Sequence, residues 1–290
     1  MNRNRILRRY LPILLVLVLT VLDGLIFREV YLSKEAKSLK VYFLDVGQGD
    51  SILIVSPSGN TMLIDGGPPT GASLREVGKI LPMLDRTLGV VLATHPDSDH
   101  IGGLSQVLSR YDTDFYIESG NKSDTSAFRS LEDELNKEPN VKRVIARRGQ
   151  IVDFGDGVEL KIIYPDRDVS NDKSNDASIV AKLSYGRDTF LFTGDSPSNI
   201  EKYIVSSYGN DLQSEVLKAG HHGSRTSSSS GFVGKVSPYW AIISSGRGNK
   251  YGHPHKEVID LLNSLNIKVL RTDELGTIEM DSMGDGIFIK

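Results

Sequence analysis

Cysteine is absent from this chain of 290 residues. That excludes a disulfide framework, a thiolate zinc site and a cysteine nucleophile together. The absence fits an oxidising or extracytoplasmic setting without requiring one. An excess of basic charge is missing too. The first nine residues hold Arg3, Arg5, Arg8 and Arg9 and no acid, so the rest of the chain carries −7 against an overall −3. A body that acidic is no general binder of polyanions. Contact with nucleic acid would have to be local, helped by Lys142, Arg143, Arg147 and Arg148. Repeats and low-complexity tracts are also lacking, apart from Ser227 to Ser230, which reads as a loop.

Only one long hydrophobic run is present. It extends from Leu11 to Leu22 and continues through Asp23-Gly24 to Leu25-Ile26-Phe27, about 17 residues and at the lower limit for a membrane span. Arginines before the run and Glu29 after it predict an uncleaved signal anchor with a cytoplasmic amino terminus. The expectation is therefore a single-pass protein of the cell membrane with an extracytoplasmic body. A cleavable signal would make the body secreted, but the small residues Ala36-Lys37-Ser38 lie far downstream of the apolar core. The expected division is 1–38 for the cytoplasmic tip, transmembrane helix and short linker, and 39–290 for one α/β domain.

Within the body, turn signals separate three short apolar runs: Lys40 to Val46, Ser51 to Val55 and Thr61 to Asp65. Close succession predicts a meander of strands. Helical spacing marks Ser73 to Leu84, Ser126 to Lys137, Ser198 to Ser207 and His255 to Leu265. Strands are expected at Leu88 to Ala93, Phe115 to Ile117, Ile151 to Phe154, Val158 to Tyr164, Ile179 to Tyr185, Thr189 to Thr193, Val216 to Lys218 and Ala241 to Ser244. Two strand-rich halves with helices fit two sheets covered by helices.

Histidine is scarce but not scattered. All six fall in three clusters: His95/His100, His221/His222 and His253/His255. The first belongs to His95-Pro96-Asp97-Ser98-Asp99-His100, which directly follows an apolar strand. A strand ending in His-x-Asp-x-Asp-His delivers imidazoles and carboxylates to one point, and divalent metals bind those groups. Other strands run into polar ends of the same kind: Ile64-Asp65-Gly66-Gly67, Phe192-Thr193-Gly194-Asp195, Lys218-Ala219-Gly220-His221-His222, and Ile243-Ser244-Ser245-Gly246 leading to Tyr251-Gly252-His253.

These segments, together with Phe43 to Ser51 and Ser174-Asn175-Asp176-Ala177-Ser178, resemble the metallo-β-lactamase fold. The likeness is to the hydrolase-like domain of ComEC-type competence proteins, and it runs from about Leu39 to Arg271. It implies an α/β (α+β) fold, a four-layer αββα sandwich with its site at one edge of two sheets. It also implies one or two divalent ions, Zn²⁺, Mn²⁺ or Mg²⁺. The implied ligands are His95, Asp97 and Asp195 for one ion and Asp99, His100, Asp195 and His221 for the other, with Asp195 bridging. Asp97 stands where the wider superfamily has histidine, which hardens that position toward Mn²⁺ or Mg²⁺. No histidine lies between the second and fourth motifs; Asn175 or Asp176 fills that interval. The choice of ligand among His221, His222 and His253 stays open at this point.

The implied activity is metal-dependent hydrolysis, most of all of DNA phosphodiesters, by a water acidified at the metals. Asp99 would serve catalysis as well as binding. Asp65 would orient His95 or His100, and His222 or His253 would steady developing charge or protonate the leaving oxygen. Ser224, Arg247 and Lys250 are expected phosphate contacts. ComEC proteins also have a multi-span channel part that this chain lacks, so a separate DNA-uptake channel protein is the expected partner. Two other functions are open: hydrolysis of a small or cell-surface phosphoester, and a non-catalytic uptake accessory or metal-binding module.

Overall fold

Residues 3–32 and 38–290 are described by the computed structural model, which divides into two units, Met1–Lys37 and Ser38–Lys290. The first unit is a single helix, α1 (Arg3–Leu32), and its side chains from Tyr10 to Leu25 are exposed. The expected single-pass membrane anchor is corrected here. Among the described residues no helix is long and apolar enough to cross a membrane. The physical reason is length: at 1.5 Å per residue the unbroken apolar stretch from Leu11 to Leu22 rises only about 18 Å, against a hydrocarbon core of about 30 Å. Asp23 then interrupts it. Of the expected linker, residues 28–32 continue α1, and residues 33–37 lie outside the described residues.

In the second unit β1 (Leu39–Phe43), β2 (Ile52–Val55) and β3 (Thr61–Ile64) form the antiparallel meander that their turn signals predict. Next come α2 (Ala72–Ile80), β4 (Val90–Ala93), α3 (Ser98–Ile101), α4 (Leu104–Leu108), β5 (Phe115–Glu118), α5 (Ser126–Leu135) and β6 (Lys142–Ile145). From β3 to β6 the pairing is parallel. The second half repeats this plan. First β7 (Ile151–Asp153), β8 (Val158–Tyr164), β9 (Val180–Tyr185) and β10 (Asp188–Phe192) pair antiparallel. Then α6 (Ser198–Tyr208), β11 (Val216–Lys218), α7 (Ser230–Val236), β12 (Trp240–Ile243), α8 (Lys256–Ser264) and β13 (Lys268–Arg271) follow, with β10 to β13 parallel. After α9 (Thr272–Leu275), β14 (Ile278–Ser282) returns to pair with β1, and β15 (Ile287–Ile289) adds outside it. One sheet has eight strands and the other seven.

Strand alternation builds four layers. Val41, Phe43, Ile54, Met62 and Leu92 point into a core shared with Leu160, Leu183, Phe190, Phe192 and Ile242 of the facing sheet. Their neighbours Leu53, Leu63 and Val91 point the other way, under α2, α4 and α5, and Leu191, Ala241 and Ile243 point under α6, α7 and α8. Both faces of each sheet are thus dry, which is why these strands read as unbroken apolar runs.

Three elements depart from the sequence reading. The serine run enters α7, because the Glu201 carboxylate accepts from the amides of Ser228 (2.5 Å) and Ser229 (2.9 Å) and so satisfies that helix start from another element. α2 stops at Ile80 and not Leu84, two residues short of Pro82, which leaves Met83 and Leu84 exposed. β6 is a half-polar edge strand without a clear periodic signal.

Candidate metal centre

The parallel blocks decide where the chemistry gathers. β3, β4, β10, β11 and β12 all deliver the residues after their carboxyl ends to one edge of the sandwich: Asp65, His95, Asp195, His221/His222 and Ser244/Ser245. The β1–β2 loop joins them because β2 runs antiparallel to β3. Backbone hydrogen bonds stitch three of these loops together: Asp50 N to Asp99 O at 3.2 Å, Gly66 N to His100 O at 2.6 Å, and Gly103 N to Gly67 O at 3.0 Å. Such approach leaves no room for side chains. A Cβ on Gly103 would meet Gly66 O at 2.2 Å, and one on Gly49 would meet Asp99 O at 2.1 Å. Gly103→Ala is expected to cost about 1–3 kcal/mol in urea unfolding and to weaken metal binding with it. A variant as stable as the parent would show that these loops are not held by close packing.

Four histidines converge on Asp195, which is 3% exposed. Its Oδ1 lies 3.3 Å from His100 Nε2, and its Oδ2 lies 3.6 Å from Nε2 of both His221 and His222 and 3.9 Å from that of His95. Asp97 Oδ2 is 3.6 Å from His95 Nε2, and Asp99 Oδ2 is 3.4 Å from His222 Nε2. Asp195 is thus common to several pairs: His95 with Asp97 and His222 with Asp99 meet its Oδ2, as does His221, while His100 meets its Oδ1. Backbone is left-handed at both His221 (φ 51°) and His222 (φ 54°), and their rings stand at 74° to one another. His222 is buried, whereas His221 sits at the rim with Nδ1 3.0 Å from Thr226 Oγ1.

Behind the Nε2 atoms, each buried imidazole is braced at Nδ1. Asp65 accepts the Thr94 amide (2.8 Å) and hydroxyl (2.7 Å), and its Oδ2 faces His100 Nδ1 at 2.7 Å. Because the Thr94 hydroxyl donates to Asp65, its oxygen accepts from His95 Nδ1 at 3.0 Å. One carboxylate thus orients both histidines, where the sequence offered a choice between them. His222 Nδ1 faces Ser244 O at 3.0 Å and Asp50 Oδ1 at 3.2 Å, and Asp50 Oδ2 pairs with the ammonium of Lys218. Asp50, His100, Asp195 and His222 lie close enough together to hold an ion; Asp50 Oδ2 is engaged by Lys218, and its Oδ1, beside His222 Nδ1, is buried without a hydrogen-bond partner.

Asp50, Thr94, Lys218 and Ser174, whose hydroxyl donates to Asp97 at 2.6 Å, were not singled out from sequence. A lysine inside the apolar strand Val216-Leu217-Lys218 was the available signal. Of the residues in the interval without histidine, Asn175 comes within 3.5 Å of His221 Nδ1, while Asp176 accepts the Tyr164 hydroxyl at its backbone carbonyl. Ser224 is buried, its hydroxyl taken up by Thr226, so it is no exposed phosphate contact. Arg247 is exposed and donates to Asp273 O. Lys250 borders the same groove as Asp99. Of the basic group near β6, Arg143 is committed to Glu118 and Glu132.

The electrostatics fit cation binding. Burial pushes Asp195 up, but His100 and His222 hold it well below the usual carboxylate range. Burial likewise raises Asp50, and Lys218 and then His222 outweigh it. Asp99 is drawn down to about 2, its burial outweighed by the hydrogen bond with His222 and the charge of His100. Against their own burial, Asp195 and Asp65 raise His100, and Asp195 and Asp50 raise His222 to about 9. Five aspartates face one lysine. Among the described residues, Nε2 of His95, His100 and His222 and Oδ1 of Asp195 are buried without a hydrogen-bond partner. Each orphan costs about 1–3 kcal/mol, and divalent cations would satisfy all four, so the donor set fits such ions.

The chain is similar to known proteins. The chain is 31% identical over 257 residues to ComE operon protein 3 of Bacillus subtilis, covering 83% of this chain and 32% of that protein. It is 32% identical over 235 residues to competence protein ComA of Neisseria gonorrhoeae, covering 81% and 31%. The chain thus spans about a third of the length of these relatives. Igni18, a metallo hydrolase from Ignicoccus hospitalis, shares the fold with a TM-score of 0.56 at 14% identity, over 83% of this chain and 98% of its own. A family model described as the metallo-beta-lactamase superfamily matches residues 44–232. With its two helix-covered sheets and its histidines and aspartates at their shared edge, the chain belongs to the metallo-beta-lactamase superfamily of metal-dependent hydrolases.

Proposed function

We propose that this chain is a metal-dependent phosphodiesterase that cleaves nucleic acid, with DNA as its foremost substrate. The observation that carries the reading is the convergence of four unpartnered buried atoms on one point beside Asp195. His95, Asp97, Asp195 and His221 would hold one ion, and Asp99, His100, Asp195 and His222 the other. Divalent cations bound there acidify a water toward neutrality and draw charge from a phosphodiester. DNA as substrate is drawn from the likeness to ComE operon protein 3 and to competence protein ComA.

The chain's own groups set the geometry. Asp65, directly and through Thr94, keeps His100 and His95 aimed with Nε2 toward the site. Asp50, steadied by Lys218, does so for His222. Such braces typically change metal affinity 10- to 100-fold when removed. His222 is therefore committed to the cluster and is not the group that protonates a leaving oxygen. His253 lies 6.3 Å from it, ring to ring. Burial and the neighbouring His222, His221 and His255 lower His253 to about 4, and bound cations would push it the same way. At neutral pH it is an uncharged hydrogen-bonding group beside the cluster.

The test is incubation of the full chain with single- and double-stranded DNA and with bis-p-nitrophenyl phosphate in Mn²⁺, Mg²⁺ or Zn²⁺. Chelator-sensitive cutting of DNA is expected. Turnover of the small diester alone would move the substrate to a small or cell-surface phosphoester. DNA binding without turnover of either would make the chain a non-catalytic module.

A further inference from the structure

Beside the candidate metal centre stands an aromatic ring that the cluster does not use. Tyr251 is 52% exposed. Its ring stacks on His253 with 5.7 Å between centroids and 21° between planes. His253 in turn neighbours His222, so two ring contacts join Tyr251 to the buried cluster. Tyr251, Lys250, Gln48, Pro68, Pro69 and Asp99 border one groove of about 460 Å³. Asp99 belongs to the cluster, and the groove is therefore continuous with the site. Its flat surfaces are an aromatic ring and two prolines, and its charge comes from a carboxylate at the metal end and an ammonium at the tyrosine end. That ammonium, Lys250 Nζ, rests 5.1 Å from the centre of the Tyr251 ring on an exposed, flexible side chain.

We propose that Tyr251 is a stacking platform for an unpaired nucleobase flanking the phosphodiester bound at Asp99. This rests on the phosphodiesterase reading and names the form of its substrate, a single strand or a frayed end. Three features favour a base as the occupant. Every nucleobase offers a π-face to an aromatic ring, and such stacking is tolerant of sequence. His253 supports the tyrosine from one face, which fixes the ring plane before anything binds. Lys250 is free to leave the ring for a phosphate as the base arrives, so an anion is matched beside the apolar slot in an otherwise acidic body. Gln48 adds to this: its Oε1 accepts the Gly246 amide at 3.2 Å, which leaves its own NH₂ to meet a base edge. A base inside a duplex has both faces covered by its neighbours, so the platform selects against paired substrate.

Cleavage kinetics of a short single-stranded oligothymidylate test this, with an abasic residue moved along the strand, in whichever of Mn²⁺, Mg²⁺ and Zn²⁺ supports turnover by the full chain. For the wild type, one register of the abasic residue is expected to lower kcat/KM by about tenfold or more, through KM. Tyr251→Ala is expected to lose as much on the intact strand and to be blind to the abasic residue, while Tyr251→Phe keeps the discrimination. Tyr251 is exposed, and unchanged circular dichroism will show that the variants fold. An abasic penalty that is absent in the wild type, or that persists in Tyr251→Ala, overturns the stacking site alone. If the wild type cuts no strand at all, the phosphodiesterase reading on nucleic acid fails and the stacking site falls with it.

Discussion

Asp195→Asn is expected to abolish metal-dependent turnover, by about a thousandfold or more, and to empty at least one ion position. The carboxylate is the single group among the described residues within 4 Å of all four clustered histidines, His95, His100, His221 and His222. Asparagine keeps its shape and removes its charge. The loss is therefore electrostatic: an ion that this carboxylate would help to hold would supply several kcal/mol of charge stabilisation in the transition state, and each 1.36 kcal/mol is tenfold in rate. Bound metal counted per chain by elemental analysis should fall along with the chelator-sensitive rate. Full metal content with a rate within about tenfold of the parent would remove Asp195 from the centre of the site.

Lys218→Met is expected to cost about 3–5 kcal/mol of stability, because it breaks a buried pair and leaves the Asp50 carboxylate uncompensated. Both partners are nearly inaccessible, at 1% and 3% side-chain exposure. The double variant Asp50→Asn with Lys218→Met should recover most of that loss, since no unpaired charge is left inside. Metal affinity should not recover, because His222 Nδ1 would have lost its carboxylate. Urea unfolding in chelator reads the first quantity and metal titration the second. If the single variant unfolds within about 1 kcal/mol of the parent, or the double variant is no better than the single, the pair is not the buried brace described here.

Much of this architecture was legible along the chain. Apolar runs with turn signals gave β1 to β5 and β7 to β12 to within a few residues, because strands dry on both faces must be continuously apolar. The serine run hid α7, because its start is satisfied by Glu201, some 28 residues away. By composition the apolar run at the amino terminus predicts a membrane anchor, but the described residues contain no helix long and apolar enough to cross. Length, and the placement of Asp23, decided that point.

For the site, the sequence by itself determined the kinds of donor and the strands that would deliver them. His95, Asp97, Asp99, His100, Asp195 and the His221/His222 pair all follow strand ends, and residue chemistry is a local property. Tertiary structure alone decided which donors meet and what stands behind them. His222 rather than His221 meets Asp99, and after two successive left-handed residues their rings stand at 74° to one another. Asp65 reaches His100 from 35 residues away, and Lys218 meets Asp50 across the two sheets. Those contacts arise only when parallel strands from both sheets bring their carboxyl ends to one edge. No local pattern encodes a distance between chain segments so far apart.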